Sequence, residues 1–141
     1  MKKLTVFLLL GFLIITGLSL SGCAAYDKML AGAFSPPEVI SVSPAANQTN
    51  VALNTKVKVA FNEAMDALSF NPNTFKLYSP SGRVQGNVHY NTNSITNNIA
   101  VFTPNEPLSP NTEYIAELTS GIKTNLKLHI KEYKWKFTTG K

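Results

Sequence analysis

Lys56-Val57-Lys58-Val59-Ala60-Phe61 alternates strictly. Val57, Val59 and Phe61 share one side of an extended chain, and Lys56, Lys58 and Ala60 share the other, which is the period of a half-buried β-strand. The same period recurs on both sides. Upstream, Ile40 and Val42 mark one strand and Val51 and Leu53 a short one; downstream, Phe75 and Leu77 begin another. Ser79-Pro80-Ser81-Gly82 has turn chemistry, with proline at the second position and glycine at the fourth, so Val84, Val88 and Tyr90 read as the return strand of a hairpin. Ala100 and Phe102, then Tyr114, Ala116 and Leu118, and finally Tyr133, Trp135 and Phe137 supply three more. Leu126, Leu128 and Ile130 take the opposite phase to Tyr133, Trp135 and Phe137, which calls for a bulge or tight turn near Lys131-Glu132.

About seven short strands in roughly 100 residues, separated by turn signals and with no helical period, predict an all-β antiparallel two-sheet sandwich. Its core is expected around Phe61, Phe102, Tyr114, Trp135 and Phe137. Tyr114 follows Pro110 by four residues, a spacing that lets its ring be buried while its hydroxyl bonds back to the preceding loop, as in a tyrosine corner.

Five segments in order carry a family resemblance: Pro37 to Pro44, Thr49 to Thr55, Val59-Ala60-Phe61-Asn62-Glu63-Ala64-Met65-Asp66, Leu108-Ser109-Pro110-Asn111-Thr112-Glu113-Tyr114, and Trp135 to Gly140. Together they resemble the bacterial Ig-like domain of the S-layer class. The resemblance implies a single Ig-like sandwich over residues 37–141, of a kind usually repeated in large surface proteins, with no catalytic residues. One copy stands here. Ile122 to Leu128 departs from the family pattern, lacking its acidic residue and Gly-Asn turn.

The other informative segment is at the start. Lys2 and Lys3 precede an apolar run from Leu4 to Leu20, and Leu20-Ser21-Gly22-Cys23 closes it with the only cysteine of the chain. A retained transmembrane helix is the rival reading, since about 20 apolar residues span a bilayer. Gly11, Gly17, Gly22 and the cysteine at the exit favour a signal peptide, residues 1–22. The segment resembles a bacterial lipobox, which implies cleavage before Cys23 and its acylation. Two or three acyl chains would hold the protein on a lipid bilayer. Ala24 resembles the outer-membrane sorting signal, for a cell that has that membrane.

Removing residues 1–22 from 141 leaves 119, enough for one domain with a real core and no need of metal or disulfide. Residues 23–36 read as an acylated cysteine and tether. Ala24 to Pro37, fully extended, would reach about 45 Å. Tyr26, Met29, Leu30 and Phe34 also approach helical spacing, so a short amphipathic helix is the second reading of this stretch.

The formal charge of +5 drops by two with the signal, and the remaining excess sits late in the chain. Lys123, Lys127, Lys131, Lys134, Lys136 and Lys141 face one acid, Glu132, over residues 122–141. Such a strip suits anionic glycan or lipid headgroups, or is a solvated strand face whose lysines discourage edge pairing. Nothing points to nucleic acid. His89 and His129 are both expected to face outward, too isolated for a transition-metal site. Asn62, Glu63, Asp66, Asn71 and Asn73 form the best oxygen cluster, to be read as a calcium loop or as side chains that satisfy their own backbone. The Asn- and Thr-rich loop Asn91–Asn98, with Tyr90, is a candidate polysaccharide contact. No serine, histidine and acid trio can be assembled, and neither an enzyme nor a cofactor is expected. The sequence thus predicts an envelope lipoprotein whose Ig-like domain acts as a structural, adhesive or interaction module with an envelope protein or polysaccharide partner.

Overall fold

In the computed structural model, the described residues are 35–91 and 98–141. The signal segment 1–22, Cys23 and the tether up to residue 34 lie outside them, as does most of the loop after Tyr90. Among the described residues, no helix is long and apolar enough to cross a membrane.

The described residues form eight strands in order: β1 Val39–Ser43, β2 Val57–Phe61, β3 Phe75–Ser79, β4 Gly82–Val84, β5 Gly86–Tyr90, β6 Ile99–Pro104, β7 Glu113–Leu118 and β8 Tyr133–Thr138. A single 3-10 turn, Ala67–Ser69, interrupts the connection from β2 to β3. The strands form two four-stranded antiparallel sheets, in the order β1-β2-β6-β5 and β4-β3-β7-β8. Both belong to one unit, Pro36–Lys141.

The core is made by alternation. Val57, Val59 and Phe61 are buried while Lys58 is exposed, and the registers of β2 with β6 place Phe102 opposite Val57 and Ala100 opposite Val59. From the other sheet come Phe75, Leu77, Tyr114, Ala116, Leu118, Trp135 and Phe137, all buried. Stacking these two inner faces fills the layer between the sheets. Phe75 bridges them, its ring 5.7 Å from Phe102 and 6.3 Å from Trp135.

The hairpin differs from the sequence reading. Residues 84–90 are not one return strand: β4 pairs with β3 only through Val84, Arg83 and Gly82, and the chain then crosses to the other sheet, where β5 pairs with β6. Gly86 makes this possible. A Cβ there would lie 2.5 Å from the Phe102 ring and 2.6 Å from the Thr103 carbonyl oxygen, so only glycine lets the strand press against β6 at the crossing.

The short strand expected at Val51 and Leu53 is absent, and the alternation from Leu126 to Ile130 does not make one either. Val51 makes one parallel bridge to Thr139, and the segment around it, from Asn47, runs along the free edge of β8. Asn47 N–H donates to Lys136 O at 2.7 Å, Thr138 N–H to Gln48 O at 2.8 Å, and Val51 N–H to Thr138 O at 3.1 Å. This covers an edge that would otherwise offer unpaired groups to another chain. The run Leu126, Leu128, Ile130 is a turn and loop rather than a strand: Lys127 has φ of +66°, which breaks the alternation, leaving Leu126 exposed and Ile130 buried.

The connectivity gives the sandwich two distinct ends. At the entry end, where the described chain begins, lie residues 35–38 and the connections β2–β3, β5–β6 and β7–β8. At the far end lie the connections β1–β2, β3–β4 and β6–β7 and the C-terminal Lys141.

Candidate interaction surfaces

The outer face of the β4-β3-β7-β8 sheet carries its charges in cross-strand ion pairs. Cross-strand register puts Lys76 opposite Glu117 and Glu117 opposite Lys134. Glu117 lies 3.5 Å from Lys76 Nζ and 3.2 Å from Lys134 Nζ, and Glu113 lies 3.0 Å from Lys136 Nζ. Partial burial opposes ionisation of Glu117, but the hydrogen bond from Lys134 and the charges of both lysines outweigh it and hold its carboxyl below the ordinary glutamate range. The late-chain lysines therefore do not form the single basic strip the sequence allowed. Lys134 and Lys136 are matched with acids on this face, Lys123, Lys127 and Lys131 belong to the entry-end connection, and Lys141 is at the far end.

In the Asn62 to Asn73 segment, side-chain oxygens of Asn62, Asp66, Asn71 and Asn73 are held by the protein itself. Asn62 Oδ1 accepts from Glu38 N–H at 2.8 Å, Asp66 Oδ1 caps the 3-10 turn by accepting from Leu68 N–H at 3.0 Å, and Asn71 Oδ1 accepts from Asn73 N–H at 2.9 Å. The second Asp66 oxygen lies 3.5 Å from Lys127 Nζ. Arg83 reaches across to the Pro72 carbonyl and the Asn73 side chain. These are local Asx and capping contacts. Among the described residues there is no group of three or more His, Cys, Asp and Glu side chains placed to hold a metal.

Tyr90 is not a surface platform. It is 6% exposed, stacks on Phe70 with centroids 4.7 Å apart, and its hydroxyl accepts from Met65 N–H at 2.9 Å. Its role is to pin the β2–β3 connection to the core. Tyr114 and Trp135 are also buried: the Tyr114 hydroxyl accepts from Ser109 N–H at 2.8 Å, and Trp135 Nε1 donates to Pro44 O at 3.0 Å. Phe61, Phe102 and Phe137 are buried beside them. His89 and His129 are both exposed and on different parts of the surface, His89 in β5 and His129 with Nδ1 2.6 Å from Ser120 O. Cys23 lies outside the described residues.

At the far end, the β3–β4 hairpin and the β6–β7 connection enclose a shallow groove of about 340 Å³, lined by Ser79, Arg83, Gln85, Asn105, Glu106 and Tyr114 among others. This groove escaped the sequence reading because its walls come from segments some 20 residues apart that meet only through the sheet crossing at Gly86.

Two packed antiparallel sheets around one aromatic core, with solvated faces and loop-bearing ends, define an Ig-like β-sandwich. The chain belongs to the bacterial Ig-like domain family, whose model matches residues 34–139. Among solved structures it is similar to the surface layer protein SbsC, domains 1–6, at 22% identity and a TM-score of 0.61, covering 85% of this chain and 16% of that one. It is also similar to PcoC, a methionine-rich copper resistance protein from Escherichia coli, at 22% identity and TM-score 0.59 over 74% of this chain and 99% of that one. An L,D-transpeptidase from Mycobacterium smegmatis matches at 20% identity and TM-score 0.52, over 75% of this chain and 41% of that one. These likenesses concern the fold. No match is found among curated proteins.

Proposed function

We propose that this chain is a cell-envelope protein held on a membrane through lipid on Cys23, and that its Ig-like sandwich is a structural, adhesive or protein-interaction module without enzymatic activity. One observation carries the reading: a bacterial Ig-like domain begins a dozen residues beyond a lone cysteine that closes an apolar segment. The described surface fits such a role, because it offers faces, edges and a groove for contact and no convergent reactive groups. Ala24 favours the outer membrane in a cell that has one. Mass spectrometry of membrane-extracted protein tests the anchor: the N-terminus should be an acylated Cys23, and Cys23→Ser should shift the protein into the soluble fraction. An intact N-terminus with a free thiol would overturn the reading.

A glycan- or matrix-binding adhesin is the second reading, supported by the polar far-end groove with Arg83, Gln85 and Asn105 on its walls. It requires saturable polysaccharide binding that weakens with salt. A metal carrier has less support. The likeness to a methionine-rich copper resistance protein brings no donors with it, since Met65 is the one methionine among the described residues and is 3% exposed.

A further inference from the structure

Five large hydrophobic side chains are exposed among the described residues: Ile40, Leu68, Ile115, Leu126 and Tyr133. Scattered singly, such residues need no explanation. Here Leu68 and Leu126 lie in entry-end connections, Ile40 and Tyr133 lie at the entry-end starts of β1 and β8, and Ile115 lies within β7. Leu68 is 91% exposed and Leu126 69%.

These two leucines stand on a braced platform. Leu68 is in the 3-10 turn that Asp66 caps; Leu126 is in the β7–β8 connection. The two segments are joined by Asp66 N–H donating to Lys123 O at 2.8 Å, by the Met65–Thr124 bridge and by the Asp66–Lys127 ion pair. Ser69 Oγ lies 3.4 Å from Lys123 O as well. Leucines on such a support are presented to a partner rather than folded back on the core. Ile40, in the bulge at the start of β1, and Tyr133, at the start of β8 with its ring 5.7 Å from that of Trp135, lie at the same end.

We propose that the entry end rests on the lipid bilayer surface, with Leu68 and Leu126 inserted at headgroup level; the inference depends on the lipid-anchored reading above. The position of the chain start selects lipid over another protein. Ser35 enters at this same end, twelve residues after Cys23, which bounds the span to about 40 Å of extended chain. A tether that short gives an effective concentration of order millimolar at the bilayer, so a shallow apolar contact suffices. Charge has a minor part. At this end three lysines, Lys123, Lys127 and Lys131, stand against four acids, Glu38, Glu63, Asp66 and Glu132, so there is no net attraction to anionic lipid, while the lysine stems can lie along the interface with their ammonium groups in water.

The test uses the mature, full-length protein in vesicles of phosphatidylethanolamine and phosphatidylglycerol. With Cys23 acylated, a single thiol introduced by Leu68→Cys, Leu126→Cys or, at the far end, Ser81→Cys takes an environment-sensitive fluorophore alone. At 68 and 126 the emission should shift to the blue and be quenched by nitroxide lipids, with little change when phosphatidylglycerol is halved. At 81 only aqueous quenchers should act. All three labels open to water, on protein whose Cys23 is acylated, would overturn the membrane contact and leave the anchor standing. Protection at 68 and 126 that appears only after adding envelope protein would overturn it in favour of a protein partner. A free Cys23 in the mass spectrum would overturn the anchor itself, and this contact with it.

Discussion

Tyr114 and Trp135 each fasten a loop to the core by one polar atom. In both, the ring supplies buried area and the heteroatom satisfies a backbone group that loop geometry would leave unpaired. Ser109 N–H and the Pro44 carbonyl are those groups. The two substitutions should therefore differ in size. Trp135→Ala removes a ring that is 5% exposed and should cost about 3 to 5 kcal/mol. Tyr114→Phe keeps the ring and should cost about 1 kcal/mol. Urea denaturation of the two variants measures both; equal losses would mean that the Tyr114 hydroxyl bond, rather than packing, fixes the β6–β7 connection. At this scale the sequence is most readable where spacing dictates chemistry, as between Pro110 and Tyr114. It is least readable at Tyr90, whose loop neighbours Asn91 and Asn98 give no sign that Phe70, 20 residues earlier, stacks against it.

Strands were legible wherever apolar residues alternate, and the misreadings have definite causes. The Val84 to Tyr90 segment keeps one alternation through the point where it changes sheets, because a crossing at Gly86 shifts partners without shifting phase. Only the missing side chain marks it. Gly86→Ala should cost about 1 to 3 kcal/mol by forcing β5 away from Phe102, measurable as a lower Tm with an unchanged β-type circular-dichroism spectrum. The Leu126 to Ile130 run misleads in the opposite sense, since it alternates in sequence while Lys127, at positive φ, breaks the strand. Across β3, β7 and β8 the charge ladder makes a further prediction. The folded state holds the Glu117 carboxyl below the ordinary value of 4.5. Its ionised form is thus favoured by folding, so it contributes stability that is full above pH 4.5 and is lost as pH falls through the lower folded value. In urea denaturation at a series of pH values, Glu117→Gln should lower stability at neutral pH by that contribution and flatten the acid limb, with the pH slope above neutral unchanged.

Among the described residues the sandwich has two unlike ends. One end receives the chain at Pro36 and carries exposed leucines; the other carries the hairpin, the groove and Lys141. None of this asymmetry is visible along the sequence, where Leu68, Leu126 and Ile40 are far apart and only the return of β2 and β7 to the entry end gathers them. The separation also argues that the fold does not depend on the anchor. All eight strands and the buried aromatic cluster lie within Pro36–Lys141, and the β8 edge is closed by Asn47 to Val51 from the same unit. Produced as residues 36–141, the domain should melt in one cooperative transition with coincident circular-dichroism and Trp135 fluorescence curves. Every residue of that core comes from this unit, so a Tm equal to that of the full-length protein in detergent is expected. A large drop would mean that residues before Pro36 pack on the sandwich, and the two ends would then have to be reassigned.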